Sequence, residues 1–191
     1  MAKRPLTAGE IALVKSVFGD SVNCDTVSVH DNRYTRIQRR GVAMAPNGSL
    51  YMPGCYFDDY SKKEPHLQSL FIHEMTHVWQ HQNKVLNPVL SFVGLNLSHK
   101  FNYTAAYDYT LDPKKDLLDY NMEQQASIVQ DYFLLRATGN RLSTSHCNNT
   151  CDTEQKMALY GQVLGQFLKD PGYAKRKTIF HRRPKPQPPS A

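Results

Sequence analysis

The sequence predicts an α+β domain, a small antiparallel sheet packed on several helices. Three observations lead there. Apolar residues recur at helical spacing near the N-terminus, again around residues 65–82 and after about residue 153, and residues 122–137 are helical by composition. Between the first two of these segments lie short alternating runs broken by Asn47-Gly48, the dipeptide that favours tight hairpins. The chain has 191 residues, 40% hydrophobic and 10% aromatic, enough for one domain with its own core and too apolar for disorder throughout.

Thr7, with Glu10 three residues on, forms a capping box ahead of Ile11, Val14 and Phe18, and Gly19-Asp20 ends that first helix. Thr26 to Val29 alternates. Gly41 to Ala45 leads through Pro46-Asn47-Gly48 into Ser49 to Met52, so about three antiparallel strands are expected, near the minimum that is stable under a helix. Pro65 suits the first turn of a second helix, where its missing N–H is an orphan anyway. Leu67, Leu70, Phe71 and Val78 mark the apolar side of that helix up to about Gln82. An irregular stretch holding Pro88 and Gly94 follows, then the polar-aromatic segment Phe101 to Asp112. Asp112-Pro113 offers one helix start. Asn121 offers another, heading a helical run from Met122 to Ala137 that stops at Thr138-Gly139-Asn140. A last helix is expected from about Thr153 to Lys169, with Met157, Tyr160, Val163, Leu164 and Phe167 on one side, ended by Asp170-Pro171-Gly172. The domain then covers 1–173. Residues 174–191, with Pro184, Pro186, Pro188 and Pro189, read as a basic, Pro-rich, disordered tail.

The formal charge of +6 belongs to that tail: six of the 23 basic residues follow residue 173 with no acid among them, and the other 17 balance the 17 acids. A neutral body without interleaved basic and aromatic residues argues against a nucleic-acid partner. The longest apolar stretch, Val85 to Ser98, is too short to span a bilayer. The N-terminus lacks the apolar run of a secretory signal, so synthesis as a soluble cytoplasmic chain is expected. Cys24, Cys55, Cys147 and Cys151 do not decide the compartment. The three residues between Cys147 and Cys151 are looser than zinc-knuckle spacing, and both a small disulfide loop and free thiols stay open.

The informative segment is His73-Glu74-Met75-Thr76-His77. Histidines four apart on a helix lie on one face, one turn apart, close enough to share a zinc ion. Glu74 is turned about 100° from His73, so it borders such a site without being held by it. That suits hydrolysis, in which zinc activates a water and a free carboxylate takes its proton and passes it to the leaving amine. Catalytic zinc takes three protein ligands and keeps one open position. No histidine stands six residues after His77, where Asn83 is found, and His81 would splay away around the helix axis. An acid from a later helix is the better third ligand, as in the two-histidine, one-glutamate (gluzincin-like) hydrolases. Glu123 is the only glutamate between Glu74 and Glu154, and it sits in the first turn of the helix headed by Asn121. Asp119 and Asp131 are the reserves. Tyr107 and Tyr109, between the two metal-bearing helices, are candidate phenol donors to an oxyanion. Trp79 reads as a packing anchor.

Longer strings add a family. Arg4 to Glu10 with Val17-Phe18-Gly19, Phe71-Ile-His-Glu-Met-Thr-His-Val-Trp-Gln80, and Asn121-Met-Glu-Gln-Gln-Ala-Ser-Ile-Val-Gln-Asp-Tyr132 resemble the metallopeptidase domain attached to some type VI secretion spike proteins of the valine-glycine-repeat kind, and free-standing relatives of it. The resemblance runs, with gaps, from Arg4 to Phe133. It implies a compact zincin-like fold, with His73, His77 and Glu123 as zinc ligands and Glu74 as base. It further implies an antibacterial effector that hydrolyses protein or peptide, reaches a target-cell periplasm by a contractile apparatus, and is met in the producer by an immunity protein. The chain departs from the pattern in having no spike portion, so a separate spike or carrier, or a fusion partner, is implied for delivery. A thermolysin-like aspartate four residues after the ligand glutamate is also missing, Ser127 standing there. Asp131 and Asp119 are then the candidates to orient a ligand histidine.

Overall fold

The computed structural model describes residues 2–85, 106–140 and 144–175. The expected apolar stretch beyond Val85, the first residues of the Phe101 to Asp112 segment and the tail beyond residue 175 lie outside the described residues. The architecture is α+β. In chain order come β1 (Lys3–Pro5), α1 (Ala8–Phe18), β2 (Ser28–His30), β3 (Leu50–Tyr51), α2 (Pro65–Gln82), α3 (Met122–Thr138), α4 (Thr153–Val163) and α5 (Gly165–Lys169). No helix among the described residues is long and apolar enough to cross a membrane.

The sheet has three strands, as expected, but it is mixed rather than antiparallel and one strand comes from an unexpected place. Its order is β1-β2-β3, with β1 antiparallel to β2 and β3 parallel to β2. Residues 31–49 form the crossover that a parallel pair requires. Asn47-Gly48 does turn the chain, since Met44 and Tyr51 exchange backbone hydrogen bonds of 3.1 and 2.8 Å, but Gly41 to Ala45 contributes only that bridge. β1 has no alternating apolar pattern to betray it, and Pro5 is tolerated because β1 lies at the edge.

Thr7 caps α1 in a full capping box with Glu10. Glu10 does more than cap. Fully buried, it takes two 2.7 Å hydrogen bonds from the Arg4 guanidinium and one of 2.9 Å from the Tyr60 N–H. Arg4 also donates to the Phe57 carbonyl at 2.7 Å. A buried carboxylate saturated in this way ties β1 and α1 to the turn that leads into α2.

α2 is the central element. Every residue from Phe71 to Gln80 is buried except His77, which is half-buried, so the helix is enclosed on nearly all sides and not only along the expected apolar side. Trp79 is fully buried and anchors packing: its ring meets Phe167 edge-on at 5.2 Å and lies 6.5 Å from Phe18, and its Nε1–H donates to the Pro171 carbonyl at 3.1 Å. α3 packs along α2, starting at Asn121 in a capping box with Gln124 and ending at Gly139, whose left-handed backbone (φ 65°) closes the helix. Asp112-Pro113 does not open a helix. Asp112 Oδ1 instead accepts from the Lys114 N–H in a turn, and a short 3-10 helix, Leu117–Asp119, follows under an Asp116 cap. The last predicted helix breaks at Leu164 into α4 and α5, between Gly161 and Gly165, residues that weaken helix continuity. Tyr173 and Ala174 are buried in the core.

Candidate metal centre

α2 and α3 lie side by side, each burying apolar residues in the common core (Phe71, Ile72, Met75 and Val78 from α2; Ile128, Val129 and Leu135 from α3), and that contact sets a glutamate against two histidines. Glu123, in the first turn of α3, places its Oε2 3.5 Å from His73 Nε2 and 3.3 Å from His77 Nε2. The ligand atoms of His73, His77 and Glu123 all lie within 4.8 Å of one another, a group able to hold a metal ion. Glu123 Oε2 is buried and has no hydrogen-bond partner. Its separations match the ~3.4 Å edge of a tetrahedron with ~2.1 Å metal bonds, so these residues fit an ion better than they fit one another.

The imidazoles are held from behind by amides, not by the aspartates expected there. His77 Nδ1 lies 2.8 Å from Gln80 Oε1, and Gln80 Nε2 donates to the Met122 carbonyl at 2.9 Å and to Gln125 Oε1 at 3.0 Å. With both amide donors facing acceptors, Gln80 must present its oxygen to His77. Nδ1 therefore carries the proton, and the Nε2 lone pair is free for a cation. His73 Nδ1 likewise lies 2.8 Å from Gln130 Oε1. Asp119 is instead exposed and caps the Asp116 N–H, while Asp131 is buried and accepts from the Tyr109 hydroxyl at 2.8 Å and the His146 N–H at 3.3 Å. Spacing could have found both glutamines, since Gln80 follows His77 by three and Gln130 follows Glu123 by seven, each on its ligand's helix face.

Electrostatics fits a cation site. Burial disfavours a charged His77, but Glu123 first and then Glu74 outweigh it and hold its pKa at about 9, while the two imidazoles pull Glu123 well below the usual carboxylate range. A cation taking His77 Nε2 replaces that proton. Glu74, 4% exposed, borders the cluster without joining it; burial raises its pKa, against the pull of His77 and His73. Its Oε2 has no hydrogen-bond partner.

The two tyrosines part company. The Tyr107 ring stacks on the His73 ring at 5.9 Å. Tyr109 is 2% exposed with its hydroxyl committed to Asp131 and, at 2.6 Å, to the Tyr160 hydroxyl. Beyond Tyr107, at 5.7 Å, stands His146, whose Nδ1 is 3.3 Å from Asp108 Oδ1. Sequence reading did not single out this pair, and no motif could have, because a bridge between Tyr109 and Cys147 joins two otherwise irregular segments. His81 is exposed, away from the ligand set, and all four cysteines are free thiols.

Asp131 supplies a pH test of this interior. Burial, opposed by the bonds from Tyr109 and His146, pushes its pKa up to about 6. The unfolded value is about 4, so the neutral acid favours the folded chain: its contribution is complete below about pH 4 and is lost as the pH rises through about 6. Asp131→Asn is expected to remove that loss, gaining about 3 kcal/mol relative to the parent between about pH 4 and 7. Urea unfolding at the two pH values checks it, and parallel losses in both proteins would show that Asp131 is not the group responsible.

No family model matches this sequence. The fold nevertheless has a solved counterpart, and through it the chain belongs to the family of type VI secretion spike-associated effector domains. That counterpart is the effector domain of Pseudomonas aeruginosa VgrG2b, 41% identical at a TM-score of 0.61 over 75% of this chain and 80% of that one. The type VI secretion system spike protein VgrG2b of Pseudomonas aeruginosa is 46% identical over 137 residues, 70% of this chain, and this chain spans 13% of its length.

Proposed function

We propose that the chain is a zinc-dependent metallopeptidase acting as an antibacterial effector of type VI secretion. In this reading it is delivered with a spike or carrier into a target-cell periplasm and is neutralised in the producer by an immunity protein. The observation that carries the enzymatic part is the conjunction of three converging ligands with a buried carboxylate, Glu74, that is outside the ligand group and has one oxygen, Oε2, without a hydrogen-bond partner. A site built only for structure would close the ion with a fourth ligand.

His73, His77 and Glu123 would hold the zinc. Bound there, it would supply Lewis acidity toward a carbonyl and a bound water. Glu74, its pKa raised by burial, accepts the proton of the attacking water and returns it to the leaving amine. Gln80 and Gln130 keep both Nε2 atoms aimed at the ion. His146, with Nδ1 3.3 Å from Asp108 Oδ1 and its ring beside that of Tyr107, is the candidate donor to the developing oxyanion. Tyr109 takes no part, since its hydroxyl is spent on Asp131 and Tyr160.

The test is hydrolysis of an unfolded protein such as casein, before and after chelation and after return of one equivalent of zinc. Activity is expected to vanish and return, and His146→Ala is expected to keep zinc while lowering kcat about a hundredfold. Hydrolysis that survives complete metal removal would end the proposal.

A further inference from the structure

The neutral balance of the body hides a local asymmetry. Arg33, Arg36, Arg39 and Arg40 fall within eight residues that contain no acid, and all four are exposed. Among the described residues no carboxylate lies within 4.0 Å of any of them, although Arg4, Lys15 and Lys62 each have one. Contrary to the expectation of a body without interleaved basic and aromatic residues, Tyr34, 45% exposed, stands among them with Ile37, 70% exposed, two of the three large hydrophobic residues exposed among the described ones. Arg33 and Arg40 also line an open depression of about 430 Å³ with Asp31, Asn32, Pro53 and Gly54.

This loop is built, not loose. Gln38 is buried beneath it, accepts from the Tyr34 N–H at 2.7 Å, and donates to the Val42 and Tyr51 carbonyls at 2.7 and 3.2 Å. Gly41 N–H donates to the Pro53 carbonyl at 2.6 Å, and the Tyr34 ring leans on Tyr51 at 5.0 Å. A single exposed isoleucine needs no explanation. An isoleucine and a tyrosine held up on a pinned loop among four unpaired guanidiniums have the composition of an interface hot spot, with little ordering entropy left to lose.

We propose that the loop of residues 33–40 is a docking surface for an acidic protein, with Ile37 and Tyr34 as the apolar anchor and the four arginines pairing with carboxylates around it. Nucleic acid fits less well, because phosphates give Ile37 nothing to bury against and Asp31 repels them from the depression. None of the loop's residues belongs to the ligand set, so the proposal does not depend on the enzymatic reading.

Fluorescence anisotropy at physiological salt tests it with four probes: a glutamate–tyrosine copolymer, poly-glutamate, a short DNA duplex, and phosphatidylglycerol vesicles scored by sedimentation. The C-terminal basic residues attract the same probes, so the comparison of variants carries the result. The copolymer is expected to bind more tightly than the other three. Arg36→Glu with Arg39→Glu is expected to weaken it about tenfold or more, and Ile37→Ser to weaken the copolymer while leaving poly-glutamate unchanged. These side chains are exposed, and unchanged melting curves confirm that the variants fold. Equal copolymer binding by parent and double variant overturns the proposal, as does tighter binding of DNA or vesicles.

Discussion

Glu74→Ala is expected to bind one zinc per chain with the parent's affinity and to lose at least about three orders of magnitude in kcat, the upper range for removing a general acid–base. The two halves of that result come from one geometric fact. Glu74 follows His73 on α2 and is turned away from the three atoms that converge, so its removal leaves the ligand set whole. It is also buried with one carboxylate oxygen unpartnered, which costs folding energy and is retained in few proteins without a use. Its loss is therefore expected to raise the melting temperature while activity disappears, the opposite of what damage to the core would do. Elemental analysis, calorimetry and peptide hydrolysis on one preparation measure all three. A variant that hydrolyses as fast as its parent would remove Glu74 from the chemistry.

Much of the fold was legible because local signals were strong where they occurred. The Thr7–Glu10 box, Pro65 at the head of α2, and Asn121 with Gly139 bracketing α3 each satisfy orphan backbone groups in a way that side-chain chemistry announces. The mixed sheet was not legible, because β1 is three residues at an edge and its pairing with β2 is decided by contacts far along the chain. The His73, His77 and Glu123 group, which could hold a metal ion, could be read because two of its members are four residues apart on one helix. What holds the ligands was harder. The thermolysin-like pattern puts an aspartate behind a histidine, whereas here an amide stands behind each imidazole, and an amide is a weaker signal because glutamines are common on helix faces. His146 and Asp108 left no trace in the sequence; only the bridge between Tyr109 and Cys147 brings them together.

The second large effect is expected at Glu123. Glu123→Ala leaves two neutral imidazoles to hold a dication and removes the only anion of the ligand set. Its apparent zinc affinity should fall by more than the about 10–100-fold that loss of an outer-shell partner costs. Gln130→Ala supplies that benchmark in the same protein, since it removes only the acceptor behind His73 Nδ1. The expected order of zinc loss is therefore Glu123→Ala first, Gln130→Ala second and Glu74→Ala not at all, read by competition with a chromophoric chelator. An independent reading comes from His77, which Glu123 does most to hold at a pKa of about 9 against its burial. Without that carboxylate the desolvation is opposed only by the remaining partners, and the imidazole of the zinc-free variant should titrate at a clearly lower pH in an NMR titration. Affinity unchanged in Glu123→Ala would mean that the contacts of 3.3 and 3.5 Å are an ion pair and nothing more, and the third ligand would have to come from elsewhere in the chain.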